Sequence, residues 1–117
     1  MDLVQFLSMK HILVSPEGNH YGLVDAQLRE QGLARDIGLT LPNMFAVPAL
    51  LPGSAYVATV LSRVMTLAGN PQQIRMFTPP LAMPTMQFHL LWHRRTQEIA
   101  AHQWLRGVIE KVAEDLR

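Results

Sequence analysis

The chain has 117 residues, 49% of them apolar and 16% charged, with a net charge of +1 and no cysteine. This excludes a disordered chain, which needs low hydrophobicity and high charge, and it excludes disulfides, thiolate catalysis and cysteine-held metals. The basic residues are scattered, with only Arg94 and Arg95 adjacent, so no stripe is present to neutralise a phosphate backbone.

Leu3, Phe6 and Leu7 recur at helical spacing and predict a short helical turn over 2–8. His11-Ile12-Leu13-Val14-Ser15, stopped by Pro16, reads as a buried strand. Residues 17–22 form a loop in which Gly18 and Gly22 are free to take positive φ. A helix over 23–31 follows, with Leu23, Ala26, Gln27 and Leu28 around one face and Gly32 placed as its terminating glycine. Ile37, Leu39 and Leu41 alternate with Gly38 and Thr40, which predicts a strand ended by Pro42.

Asn43 then fits a helix N-cap, ahead of a stripe of Met44, Val47, Leu50 and Leu51 that Pro48 bends or shortens. A strand at Tyr56–Val60, a short helix at Ser62–Leu67 and a short strand at Ile74–Phe77 come next. Met86, Phe88, Leu90 and Trp92 alternate as a further strand over 86–93. The last element is an amphipathic helix over 98–116, with Ala101, Trp104, Leu105, Val108, Ile109, Val112 and Leu116 on its apolar stripe. Strands alternating with helices predict an α/β fold with a parallel or mixed sheet and flanking helices.

Ile37 to Ser62 carries no charge and is long enough to span a bilayer, but Pro42, Asn43, Pro48, Pro52 and Gly53 break it into short elements. Met1-Asp2-Leu3-Val4 lacks the basic start of a signal peptide. The expectation is a cytoplasmic protein with no membrane contact.

No constellation carries catalysis or a metal. His89 and His93 are four apart, but the glutamate of a zinc helix is missing, and on a strand that spacing is about 13 Å, too far for one zinc ion. His11 reads as a strand-end capping residue. Ser15, His20 and Asp25 match no nucleophile spacing and no Gly-x-Ser-x-Gly elbow. Gly18 and Gly22 lack the lysine of a phosphate loop. The chain is therefore expected to be no enzyme and to need no cofactor. Pro42-Asn43 is the more informative junction: strand end meets helix start, with the N–H groups of Met44 and Phe45 expected to be free and able to hold a carboxylate. A plain cap by Asn43 explains the same residues equally well.

The order of these segments resembles a known family. His11-x-x-Val14-Ser15 is followed by Gly22-Leu23-Val24-Asp25, Leu28-x-x-x-Gly32-Leu33 and Phe45-x-Val47-Pro48-x-Leu50. Pro52-Gly53-Ser54, Val57-Ala58-Thr59-Val60, Pro79-Pro80-Leu81, Leu90-Leu91-Trp92-His93 and Trp104-Leu105 complete the series. Together they resemble the C-terminal part of the effector-binding domain of LysR-type transcriptional regulators, over nearly the whole chain. After Gly53-Ser54 this chain has Ala55-Tyr56 where that family usually has an acidic residue.

The resemblance implies a type II periplasmic-binding-protein-like architecture with a mixed sheet. Residues 1–78 would be the second subdomain and 79–117 a segment returning to the first. It implies a small-molecule effector, carboxylate or aromatic, bound between subdomains, and DNA contacted only through an N-terminal domain absent here. Pro42, Asn43, Met44 and Phe45 would line the cleft, with His20 and Tyr21 beside them. The strand at 86–92 and the last helix would lack their usual partners, so self-association is expected. A stand-alone small-molecule-binding protein of the same architecture is the alternative.

Overall fold

The computed structural model describes residues 1–115, so Leu116 of the expected stripe lies outside the described residues. The chain divides into two compact units, meeting between Pro84 and Thr85.

In the first unit, α1 (Leu3–Ser8) begins at a capping box: Asp2 accepts from the Gln5 N–H at 2.8 Å, and Gln5 accepts from the Asp2 N–H at 3.2 Å. β1 (Lys10–Val14) follows, with His11, Ile12 and Leu13 all buried. An uninterrupted buried run is what the central strand of a parallel sheet requires. β1 pairs in parallel with β2 (Asp36–Leu41) on one side and β3 (Tyr56–Ala58) on the other, giving the order β2-β1-β3. Both ladders among the described residues are parallel, so the expected mixed sheet is represented here by its parallel part.

The register between β1 and β2 slips after His11, and Gly38 is the residue passed over. A Cβ there would lie 2.6 Å from the Tyr56 ring, which glycine avoids. α2 (Leu23–Glu30) connects β1 to β2 and buries Val24 and Leu28; of the expected face Leu28 is buried, while Leu23 is exposed and Val24 takes its place. It ends in a Schellman motif: the Leu33 N–H donates to the Leu28 carbonyl at 2.9 Å and the Gly32 N–H to Arg29 at 3.0 Å, with Gly32 at φ +69°. Phe6, Val24 and Leu28 form a core cluster, joined by Leu3, Leu7, Leu33, Leu81 and Met83.

After β2, a 3-10 turn (Met44–Ala46) runs into α3 (Val47–Leu50), and Val47 and Pro48 are buried. The expected single helix is therefore one tight turn plus one short helical turn, and Leu50 faces solvent. α4 (Ser62–Ala68) buries Val64 and Met65. Ile74–Phe77, expected as a strand, is not one. Asn70 instead builds a turn that receives the Gln72, Gln73 and Ile74 N–H groups.

In the second unit, the strand expected over 86–93 is also absent. Alternation prescribes two faces but supplies no neighbouring backbone, and a strand without a ladder leaves its N–H and C=O groups to water. The segment instead leads to a 3-10 turn (Arg94–Thr96) and to α5 (Ala100–Asp115). The Arg106 guanidinium lies 4.8 Å over the Trp92 ring and donates to the Gln97 carbonyl at 2.9 Å and the Thr96 carbonyl at 3.3 Å. Trp92 Nε1 donates to Gln97 Oε1. The apolar stripe of α5 is exposed within this unit, including Trp104 at 71%.

His11 is the one fully buried titratable side chain among the described residues. Its Nε2 lies 2.8 Å from the Phe6 carbonyl, capping the end of α1 as a strand-end histidine was expected to cap. Its ring meets Phe6 edge-on at 4.5 Å, and its Nδ1 has no partner. Burial lowers its pKa, opposed by the bond to Phe6 and aided by the charge of Arg35. A histidine whose folded pKa is depressed contributes stability above its ordinary value, about 6.5, and loses it as pH falls through the folded value. The melting temperature should therefore fall as pH drops below about 6.5. In His11→Gln this acid slope should flatten, read by thermal denaturation from pH 8 to 5. An unchanged slope would show that another group controls it.

Candidate functional site

The geometry starts from the β1–β2 ladder. Val14 sits opposite Leu41, and the Ser15 N–H extends the ladder to the Leu41 carbonyl at 2.8 Å. Parallel pairing thus delivers two adjacent strands to the same edge of the sheet, followed by the 15–22 loop and the Pro42–Asn43 junction. In open α/β sheets this carboxyl edge is where ligands bind.

The 15–22 loop is held at both ends. The Gly18 N–H donates to the Ser15 carbonyl at 3.1 Å, with Gly18 at φ +73°. Gly22 packs so closely on β1 that a Cβ would lie 2.9 Å from a Leu13 methyl. The Gly22 N–H donates to Asp25 Oδ2 at 2.8 Å, and Asp25 also receives Arg35 Nε and Nη2, each at 2.8 Å. The pair is nearly buried, with the Arg35 side chain 2% exposed. Burial pushes the Asp25 carboxyl up, but the bonds from Arg35 and Gly22 outweigh this and hold it below the usual carboxylate range. Asp25 is thus fully engaged as a clip between loop, α2 and the approach to β2, and it is not free to orient a nucleophile.

At the second junction, Asn43 Oδ1 accepts from the Phe45 N–H at 2.8 Å, and the Ala46 N–H donates to the Asn43 carbonyl at 3.2 Å. The cap expected of Asn43 is formed. The expectation that both the Met44 and Phe45 N–H groups are free is corrected, because the cap consumes the Phe45 donor. The short turn that follows also carries little dipole to favour an anion. Pro42, Asn43 and Phe45 are exposed and Met44 is half-buried. His20 is exposed in the first loop, and Tyr21 is held there by the Arg29 guanidinium, 4.4 Å over its ring.

A separate cavity of about 600 Å³ runs beside β3, lined by Phe6, Met9, Val57, Thr59, Met76 and Phe77 among others. None of the six expected site residues lines it. Neither this cavity nor the Asp25–Arg35 clip is marked in the sequence by a motif. Asp25 three residues after Gly22 is a local capping signal, but nothing local points to Arg35.

Among the described residues no group of three His, Asp or Glu side chains could hold a metal ion. No strand forms at 86–93, so strand spacing does not separate His89 from His93; His93 caps the 3-10 turn, its Nδ1 accepting from the Arg95 N–H at 3.0 Å. No helix among the described residues is long and apolar enough to cross a membrane.

Comparison with known proteins adds the lineage. The model of the LysR substrate binding domain matches residues 1–114. The chain is 29% identical over 109 residues to the HTH-type transcriptional activator NahR of Pseudomonas putida, covering 93% of this chain and 36% of that protein. It is 30% identical over 92 residues to nodulation protein D 3 of Rhizobium leguminosarum bv. phaseoli, covering 79% of this chain and 30% of that protein. The regulatory domain of MexT, a transcriptional activator in Pseudomonas aeruginosa, superposes with a TM-score of 0.77 at 29% identity, covering 93% of this chain and 55% of that one. The chain thus spans about a third of the length of the curated relatives it matches.

Removing one partner of the clip leaves the other buried and uncompensated. Asp25→Asn should therefore cost about 3 kcal/mol in urea unfolding. It should also raise amide exchange across 16–22 while sparing β1. A loss below about 0.5 kcal/mol would place the pair among inconsequential surface bridges.

Proposed function

The chain belongs to the LysR substrate-binding domain family, and from that premise we propose that it forms one wall of the effector site of a transcriptional regulator. Pro42, Asn43, Met44 and Phe45 make the floor of that wall, and His20 and Tyr21 flank it. The observation that carries this reading is Phe45: a large aromatic side chain, 55% exposed, at the carboxyl edge of a parallel sheet beside a polar Asn43. An exposed aromatic with one polar neighbour suits a flat apolar ligand bearing a polar group. We assign the effector to small aromatic molecules, with a carboxylate as their polar group. With the Phe45 N–H engaged, such a carboxylate would meet the Asn43 amide and not a helix terminus.

The regulator would work in the cytoplasm, without catalysis or cofactor, and would read DNA through residues outside this chain. Support comes from the chain's similarity to transcriptional activators and regulators. It comes also from the even spread of charge within this chain. The exposed stripe of α5 and the exposed Met86 and Phe88 support self-association of the chain.

The test is a thermal-shift screen of the purified chain against a panel of simple aromatic carboxylates at millimolar concentration. Phe45→Ala and Asn43→Ala should each abolish most of the ligand-dependent shift. Phe45→Ala should cost little stability, since the side chain is exposed, and Asn43→Ala about 1 kcal/mol for the lost cap. Full retention of the shift in both variants removes this junction from the site.

A further inference from the structure

His11 is sealed inside the first unit, on the central strand of its sheet. The Phe6 carbonyl can only accept, so the hydrogen of the neutral ring sits on Nε2, 2.8 Å from that oxygen, and Nδ1 keeps a lone pair. No group partners this lone pair among the described residues. The neutral ring tolerates the arrangement, because the cost is one unmatched acceptor. A proton on Nδ1 adds a donor and a full charge where nothing accepts either.

The elements around the ring differ in what they offer it. α1 carries no charged side chain, and the residues opposite His11 in the neighbouring strands are Ile37 and Val57. The charged groups near it are Asp25 of α2, and Arg35 and Asp36 at the start of β2; of the three, Arg35 weighs most on the ring. Phe6 packs on His11 and also on Val24 and Leu28, so the imidazole lies beneath α1 and α2. The bonds from Arg35 to Asp25 of α2 draw the guanidinium into that same layer. Arg35 is as nearly sealed as His11 and cannot reach water without giving up Asp25. The same carboxylate receives the Gly22 N–H, at the end of the loop that carries His20 and Tyr21.

We propose that His11 is a proton-operated control on the effector wall: one proton taken up on Nδ1 opens the Arg35–Asp25 clip and frees the loop carrying His20 and Tyr21. Two cations in one buried layer repel. His11 is fixed by a strand laddered on both sides, so the group that yields is the clip. The closed clip holds the ring neutral and depresses its pKa, while an opened clip lets it return towards the ordinary value, about 6.5. The closed form is therefore fully favoured above about 6.5 and is lost as pH falls through the depressed value. Effector affinity weakens over the same window. That consequence rests on the effector-wall reading above; the response of the clip to the proton does not.

Amide exchange of the purified chain from pH 8 to 5, corrected for intrinsic rates, reads the clip directly. Asp25 is held below the usual carboxylate range and stays ionised throughout. In wild type the Gly18 and Gly22 amides should lose protection as pH falls, with a midpoint matching the NMR titration of the His11 ring, while the β1–β2 ladder stays protected. His11→Gln, whose side-chain amide can still donate to the Phe6 carbonyl, should hold loop protection constant. Should that variant not fold, agreement or disagreement of the two midpoints in wild type decides. Loss of protection confined to α1, or a loop midpoint apart from that of His11, overturns the switch. The second arm uses a His20→Gln background, which removes the other imidazole of the wall. There, affinity for an aromatic carboxylate that stabilises the chain should fall by up to about tenfold per pH unit below the midpoint, the limit for one linked proton. Affinity that ignores pH while the loop opens overturns the control of the wall. Failure of every aromatic carboxylate to bind at pH 8 overturns the effector reading and its control, and the exchange series still decides the clip.

Discussion

Parallel pairing of β1 on both sides is the constraint on which the first unit depends. A strand buried at His11, Ile12 and Leu13 has no solvent to satisfy its backbone, so both ladders must form for it to exist. Once they form, the rest is placed. α2 must cover one face with Val24 and Leu28, α1 must close over His11 with Phe6, and the carboxyl ends of β1 and β2 must emerge side by side. The candidate site is a consequence of that last point. Its two loops descend from neighbouring strands and need no contact with each other to share an edge.

The parts legible in the sequence are those governed by local rules. The span of β2 follows from its alternation, the end of α2 from Gly32, and the cap before Met44 from Asn43. Each is decided within about six residues by steric or hydrogen-bonding preference. The parts that escaped are those decided elsewhere. Ile74–Phe77 and Met86–Trp92 carry strand patterns, but a pattern is only half of a strand, and neither finds a backbone partner among the described residues. Arg35 was invisible as the partner of Asp25, because ten residues of helix and turn bring them together. At the site, the position of Asn43 was readable, but its capture of the Phe45 N–H depends on a side-chain rotamer that residue type does not specify.

The second unit shows the same division between local and distant causes. Its apolar stripe made α5 readable, yet the stripe explains only the helix and not what the helix is for. Within the unit, Arg106 spends its guanidinium on Trp92 and on the Thr96 and Gln97 carbonyls, fixing the approach of the chain to α5. The stripe itself stays exposed. A chain that spans about a third of its relatives' length is expected to present such surfaces, since the elements that complete them need not lie within it.

We propose ligand recognition at the carboxyl edge of β1 and β2 and not in the cavity beside β3. The most direct measurement is a two-dimensional amide NMR titration of the chain with an aromatic carboxylate that stabilises it. The account predicts shift changes concentrated in Asn43–Ala46 and His20–Gly22, with the amides of Thr59 and Ile74–Phe77 unmoved. Changes confined to Thr59 and Ile74–Phe77 would contradict it.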